Sequence, residues 1–237
     1  MVIDILVPVF NLLEKTILFV ESLSNQIEHR LIIIDNGSNQ ETKEYLNSLN
    51  AFVITNKSNE GYVKGMNKGL KYIENDYVLF ANNDIILPEG LLKRLKDHLN
   101  SYDIVGPLSN KVYSSQENDC NKLLVDFDVS QTSIEEFSNY LYQKYYGQVE
   151  SVDMVYGHCM LMKRTVLDSV GFLDEVYGLG NYDDADFCRR AIDIGMKVGL
   201  AKDSFVYHFC HATFDSMGIN VDELINSNEK IYKDKWA

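Results

Sequence analysis

The sequence predicts an α/β fold with a mostly parallel central sheet and helices on its faces. Three observations carry that expectation. Short apolar runs rich in branched and aromatic side chains recur at Val2–Val9, Leu31–Ile34, Ala51–Thr55 and Tyr77–Ala81, as strands buried on both faces do. Segments of helical period separate them, and strand and helix alternating at this rhythm build a parallel sheet. The runs also stop abruptly in polar residues, with Asn11 after the first, Asp35-Asn36-Gly37-Ser38 after the second and Asn82-Asn83-Asp84 after the fourth. In a parallel sheet such loops share one edge, and open α/β sheets bind ligands outside the carboxyl ends of their strands.

In chain order, the first strand gives way to Leu13, Ile17, Val20 and Ile27, which fall near helical spacing through residue 28. Thr42–Leu49 reads as a short helix between the second and third strands. Asn56–Gly69 reads NKSNEGYVKGMNKG. Its glycines at 61, 65 and 69 share one helical face and permit close backbone approach, with Val63, Met66, Leu70 and Ile73 as a stripe on the other side. Helix–sheet packing accounts for Gly65 and Gly69, whereas Asn59 and Gly61 could set amides against a phosphate or base. The spacing matches neither the dinucleotide fingerprint nor the P-loop. Pro88 then opens a helix with Leu91, Leu92, Leu95 and Leu99 inward, and Asp103–Gly106 begins another strand.

Residues 110–150 change character: apolar period fades, Asn, Ser, Gln and Tyr crowd in, and Ile134–Tyr146 reads as a tyrosine-rich helix. This reads as an insertion on the body that would suit a mobile wall over a pocket. Its Tyr142, Tyr145 and Tyr146 each offer a flat apolar face with a hydroxyl. Val152–Lys163 is strand-like, interrupted by Gly157-His158, and Thr165–Val170 makes a short helix. A further helix starts near Asp183, with Phe187, Ala191 and Ile194 as its stripe and Gly195 as its stop. Lys197–Ala201 and Phe205–His208 read as two short strands with His208 and His211 at the end, and Val221–Trp236 as a polar C-terminal helix.

A chain of 237 residues fits one large domain or at most two small ones. Its net charge of −13, with no basic cluster, argues against a nucleic-acid surface. No apolar run approaches membrane-spanning length and the N-terminus lacks a signal-peptide pattern, so a cytosolic location is expected. The four cysteines, Cys120, Cys159, Cys188 and Cys210, lack metal-finger spacing and read as reduced, mostly buried thiols.

Two acidic sites carry the chemistry. Asp84 at a strand end can hold a divalent cation that is itself held to substrate phosphates, although Asn82, Asn83 and Asp84 would also make a turn. Asp183, Asp184 and Asp186 fall in the first turn of a helix, where acidic residues cap and favour the dipole. One cap needs one carboxylate, and the surplus beside Arg189-Arg190 suggests a base. His208 read alone is a hydrogen-bonded or surface histidine.

The motifs, in order, are Val7-Pro8-Val9-Phe10-Asn11, Ile34-Asp35-Asn36-Gly37-Ser38, Asn59-Glu60-Gly61 with Asn67 and Gly69, and Asn82-Asn83-Asp84. Gly157-His158-Cys159-Met160-Leu161, Gly171-Phe172-Leu173-Asp174-Glu175, Asp183-Asp184-Ala185-Asp186-Phe187-Cys188-Arg189-Arg190 and Val206-Tyr207-His208 follow. From Ile3 to about Phe214 this series resembles the family 2 glycosyltransferases, inverting enzymes of GT-A fold, and especially bacterial enzymes that extend polysaccharide or glycan acceptors. The resemblance implies a single GT-A domain over 1–237, a nucleotide-binding α/β sandwich. Residues 1–106 would be its nucleotide-sugar half, 107–214 its acceptor-binding and catalytic half, and 215–237 a helical tail.

The resemblance also implies roles. Pro8, Phe10 and Asn11 would line base and ribose, Asp35 would accept a hydrogen bond from the base, and Asn59, Gly61 and Asn67 would shape the nucleotide pocket. Asn82 and Asp84 match the ends of the family's D-x-D motif, with Asn83 between them at the donor. Asp84 and His208 would hold Mg²⁺ or Mn²⁺. Asp183-Asp184 matches the E-D pair, with Asp184 as base, and Arg190, Gly157 and His158 would meet the acceptor or diphosphate. Two departures stand out: Asn82 replaces an aspartate, weakening the metal site, and Asp183 replaces a glutamate.

The implied partners are a nucleotide-diphosphate sugar and a glycan, lipid-linked or protein-linked acceptor, with no nucleic acid. A cytoplasmic location at the inner face of a membrane and a homodimer stay open. A diphosphate leaving group needs a cation, the acceptor hydroxyl needs a base, and inversion sets them on opposite faces of the sugar. A catalytically inactive nucleotide-sugar-binding protein is the alternative, with Asn82 in its favour. A nucleotidyltransferase would need a basic glycine-rich loop where Phe10-Asn11-Leu12-Leu13 stands.

Overall fold

A computed structural model describes residues 2–110, 131–210, 214 and 217–237 of the chain. Its strands are β1 (Ile3–Val9), β2 (His29–Asp35), β3 (Phe52–Thr55), β4 (Tyr77–Ala81), β5 (Ile85–Ile86), β6 (Ile104–Ser109), β7 (Val149–Ser151), β8 (Cys159–Lys163) and β9 (Val198–His208). The α-helices that position the site are α1 (Leu13–Ser22), α2 (Gln40–Ser48), α3 (Tyr62–Leu70), α4 (Leu91–His98), α5 (Gln131–Tyr145), α6 (Arg164–Val170), α7 (Asp183–Asp193) and α8 (Val221–Lys235).

The strands form one sheet in the order β3-β2-β1-β4-β8-β6-β9-β5, with β7 added to β9. β1, β2, β3, β4, β6 and β9 run one way and β5, β7 and β8 the other. The expected parallel majority is therefore present, with antiparallel β8 set between β4 and β6. That insertion has a consequence for function. The carboxyl ends of β1, β2, β4, β6 and β9 and the amino end of β8 lie at one edge, where every polar loop singled out by the sequence converges.

Alternation along the strands splits the core. Ile5, Val7, Ile33 and Leu79 face α1, α2 and α4, packing with Phe19, Leu46 and Leu92. Leu6, Ile34, Val78 and Phe80 face α3, α6 and α7, packing with Met66, Val166 and Phe187. Each fully buried side chain of this size contributes about 1.5–3 kcal/mol of transfer free energy. Gly69 lets α3 lie directly on the sheet, since a Cβ there would run into Leu6 and come 2.8 Å from Ile34 Cδ1. The apolar stripe of α3 is not on a separate side: Val63, Met66 and Leu70 are buried in that same core.

Several boundaries differ from expectation for identifiable reasons. α1 stops at Ser22 and a 3₁₀ turn covers Leu23–Asn25, leaving Ile27 off the helix. Gln26 fixes this turn by donating to Pro88 O (2.8 Å) and accepting from Leu92 N (3.0 Å). The two predicted short strands near the end are the single strand β9, whose pairing with β6 slips between Pro107 and Leu108, so that Ala201 and Phe205 become consecutive partners. Pro107 has no N–H for the ladder, which favours a bulge there. Asp203 in the bulge accepts from His98 Nε2 (2.8 Å) and Gly147 N (2.9 Å). Burial works against its charge, yet these donors hold its carboxyl below the usual range. Residues 152–155 are not strand, and Ile194 lies past the helix and 55% exposed.

Among the described residues of the insertion, α5 lays one face on the core. Ile134 and Leu141 of α5 are buried with Leu200, Phe205 and Tyr207. Tyr142 lies under Arg94 and Tyr145 under Lys202, and Lys202 is roughly 15–20 Å along the strand from His208. These tyrosines therefore sit back from the site edge. Residues 111–130, with Cys120, and His211 lie outside the described residues. Cys159 and Cys188 are buried free thiols pushed up to about 12 by burial, and Cys210 is half-buried. Among the described residues no helix is long and apolar enough to cross a membrane.

Candidate active site

The first two loops are built as one unit. Val9 pairs with Asp35, and beyond them Asn11 N donates to Ser38 Oγ (2.9 Å) and Asn11 Oδ1 accepts from Asn39 N (2.8 Å). Asn11 and Leu12 are both left-handed, with φ 55°. Asparagine tolerates that conformation and leucine does not, so the turn into α1 stores strain. Pro8 and Phe10 are half-buried beside it. Asp35 is 1% exposed; its Oδ1 accepts from Ser38 N (2.8 Å), and its Oδ2 is buried with no partner among the described residues. A buried oxygen without a donor is costly, and a nucleobase N–H would complete it. Replacing Asp35 by Ala is expected to weaken nucleotide binding by about 1–3 kcal/mol, or roughly 5- to 150-fold, with little change in Tm. Calorimetry with UDP or GDP and Mn²⁺ checks this, and an unchanged Kd would make Asp35 a turn residue.

Asn36 links this pocket to α3. Its Nδ2 donates to Gly61 O (3.0 Å) and its Oδ1 accepts from Asn56, which also takes a bond from Lys68 (2.7 Å). Asn59 closes a turn on Gly61 N (2.9 Å). Gly61 has φ 88°, and a Cβ there would lie 2.8 Å from Gly178 O. Asn67 is a correction: its amide pairs with both N and O of Leu173 (3.0 and 2.9 Å) and is buried. It pins the Leu173 segment and has no free end for a nucleotide.

After β4 the three polar residues diverge. Asn83 is also corrected, since its Nδ2 donates to Thr16 Oγ1 (2.9 Å) in the interior and ties the loop to α1. Asp84 is buried, and its Oδ1 is 3.2 Å from His208 Nε2. Burial alone would raise its pKa, but His208, the loop amide and Asn82 together lower it, so the carboxylate stays charged. Asn110 was missed by sequence reading. Its side chain grips the His208 backbone at both N (2.7 Å) and O (3.1 Å) and so fixes the main chain that carries the imidazole. A lone asparagine at a strand end gives no sequence signal for this.

The segment 156–158 joins the two acidic sites. Asn82 N donates to His158 O (3.0 Å), and the His158 ring stacks on His208 at 4.5 Å. One residue earlier, Gly157 N donates to Asp184 Oδ2 (3.0 Å). Burial, then the His208 charge, pushes His158 well below the usual imidazole range, so it is neutral. Its Nε2 and His208 Nδ1 are buried without partners among the described residues. Tyr62, also missed, donates to Gly157 O (3.3 Å), and burial, then the Asp183 and Asp184 charges, push its phenol well above the usual range.

The N-cap position is Tyr182, left-handed and with no side-chain capping bond, and an Asp184 oxygen meets the first-turn amide of Ala185 instead. Asp184 is half-buried and accepts from Gly157 and Ala185 amides. Asp183 is 4% exposed, and burial, then the Asp184 charge, pushes it well up toward the neutral form. Asp186 is fully buried and held by Arg190 Nε (2.9 Å), Lys235 Nζ (2.7 Å) and Trp236 Nε1 (3.0 Å). Arg190, expected at the acceptor or diphosphate, spends its other nitrogens on Val170 O and Phe172 O (2.9 and 3.0 Å). It braces the Gly171 turn instead.

Comparison with known proteins fits this geometry. The family model described as glycosyl transferase family 2 matches residues 4–171, which takes in the Asp35, Asp84 and His158 loops. The low-salt glycan biosynthesis hexosyltransferase Agl10 of Haloferax volcanii is 22% identical over 174 residues, covering 71% of this chain and 55% of that protein. The crystal structure of S. aureus TarS 1-349, also solved with UDP-GlcNAc, has a TM-score of 0.63 and 17% identity over 88% of this chain and 60% of that one. Mannosyltransferase PcManGT from Pyrobaculum calidifontis, in complex with GDP-Man and Mn²⁺, has a TM-score of 0.64 and 13% identity over 87% of this chain and 56% of that one. The fold is thus GT-A, and the chain spans little more than half the length of these relatives.

Proposed function

The chain belongs to glycosyl transferase family 2, and we propose from that premise that it moves a sugar from a nucleotide-diphosphate donor to an acceptor hydroxyl with inversion. The observation that carries the reading is the Gly157-His158 bridge, which ties the Asp84–His208 pair and Asp184 to one sheet edge. Residues 1–106 supply the donor side, with Asp35, Asn59 and Gly61 at the nucleotide. The described part of residues 107–214 supplies the base and faces a glycan or glycan-like acceptor.

Asp84 and His208 fit a divalent cation. One charged carboxylate and one imidazole, both buried, suit Mn²⁺ or Mg²⁺ that takes its other ligands from diphosphate and water. No cluster of three or more His, Cys, Asp or Glu that could hold a metal exists among the described residues, so the substrate completes the site. The bound cation would neutralise charge growing on the leaving diphosphate. Asp184 takes the proton of the acceptor hydroxyl, on which the attacking oxygen becomes nucleophilic. The neutral ring of His158 stacks on His208 and helps keep water from the diphosphate.

A thermal-shift panel of UDP-, dTDP- and GDP-sugars with Mn²⁺ tests the reading, because a ligand of the native state raises Tm by mass action. At least one donor is expected to raise Tm with Mn²⁺ and much less with chelator. No shift with any donor would contradict the assignment.

A further inference from the structure

The loop that delivers the acidic pair is gripped from outside the sheet by α8, and we infer that Asn228 is a positioning residue for Asp184. The inference rests on the role proposed above for that carboxylate. Asn181 and Tyr182, immediately before the pair, are both left-handed at φ 71° and 67°. Two such residues in succession, neither of them glycine, cost on the order of 1–2 kcal/mol each and persist only where the surroundings over-determine them.

Asn228 provides that restraint. It is 4% exposed, and its Nδ2 lies 2.8 Å from Gly180 O, 3.0 Å from Tyr177 O and 3.1 Å from Asn181 O. An amide has only two N–H groups, so one is shared between two carbonyls. These bonds converge on the chain just before Asp183. Just after it, Trp236 and Lys235 hold Asp186 from the same end of the molecule, and Tyr232 packs its ring 5.5 Å from that of Tyr182. Asp183-Asp184 therefore sits between two fixed points, both supplied by α8 and the residue that follows it.

The geometry assigns α8 a catalytic consequence through the loop it grips. Losing the Asn228 amide lets the strained turn relax, and a displacement of about 1 Å at a base costs up to about 100-fold in rate. Asp35 and Asp84 are held by other elements, and the nucleotide side joins this loop through Gly61, which rests against Gly178 O, so the larger loss falls on kcat.

Two measurements on full-length Asn228→Ala and Asn228→Asp test this. Hydrogen exchange of the free protein is expected to rise at residues 178–185 and stay unchanged in β1 and β2. Release of UDP from UDP-GlcNAc or GDP from GDP-Man with Mn²⁺ is expected to fall about 10- to 100-fold in kcat, with KM for the donor within about twofold. Asn228→Gln, which keeps an amide donor, is expected to recover part of the rate. Unchanged exchange overturns the clamp, and raised exchange with unchanged kcat overturns the positioning role. If the wild-type chain releases neither nucleotide, it is the proposed transfer on these donors that fails, while exchange still decides whether Asn228 holds the loop.

Discussion

Asp184→Asn is expected to reduce turnover by about 10²–10⁴-fold, the usual worth of a general base, while leaving nucleotide affinity unchanged. Both Asp184 oxygens already accept a backbone N–H, from Gly157 and Ala185, and a carboxylate oxygen accepts more than one hydrogen bond, so an acceptor hydroxyl can join them. Its neighbour is less well placed for the role. Asp183 is 4% exposed, and burial, then the Asp184 charge, raises its pKa. The amide introduced by Asp184→Asn would set one N–H against a backbone N–H, so a Tm loss worth about 1 kcal/mol accompanies the change. Steady-state rates and melting curves for Asp184→Asn beside Asp183→Asn decide the matter. A dead Asp183→Asn with an active Asp184→Asn would reverse the two roles, and near-normal rates in both would make the turn structural.

Asp84→Asn is expected to abolish the metal dependence of nucleotide binding and to lower turnover by about 10²–10³-fold, several kcal/mol of transition-state charge stabilisation. The replacement preserves shape and a hydrogen-bond partner for His208, which now lies 3.2 Å from the carboxylate. It removes the only carboxylate in the Asn82-Asn83-Asp84 loop, and a neutral amide is a poor ligand for a hard cation. Mn²⁺ titration in the presence of UDP or GDP, followed by electron paramagnetic resonance, reads the effect directly. Wild-type Mn²⁺ affinity in the variant would place the cation elsewhere.

The sequence was most informative where physics is local. Apolar runs marked the strands, and the polar residues ending them marked the edge, because period and parallel topology leave little choice. It was least informative about where an individual polar side chain points. Asn67, Asn83 and Arg190 lie within motifs that resemble the family's site, yet each spends its side chain elsewhere, on Leu173, on Thr16 and on the Val170–Phe172 turn. Motif membership fixes backbone position, while the partner comes from a distant part of the chain. The same reason hid Asn110, Tyr62 and Asn228, whose partners lie 98, 95 and about 50 residues away. The Pro107 bulge in β9 went unread because it is caused by a residue on a neighbouring strand.

The central claim is that Asp84 and Asp184 serve two halves of one transfer. It is tested most directly by measuring nucleoside-diphosphate release from the sugar nucleotide that most raises Tm, for wild type, Asp84→Asn and Asp184→Asn, with Mn²⁺ and with chelator. The account predicts release by wild type that depends on Mn²⁺ and is lost in both variants, with donor binding retained in Asp184→Asn alone. Donor binding without release by the wild-type chain, or equal release by all three proteins, would contradict it.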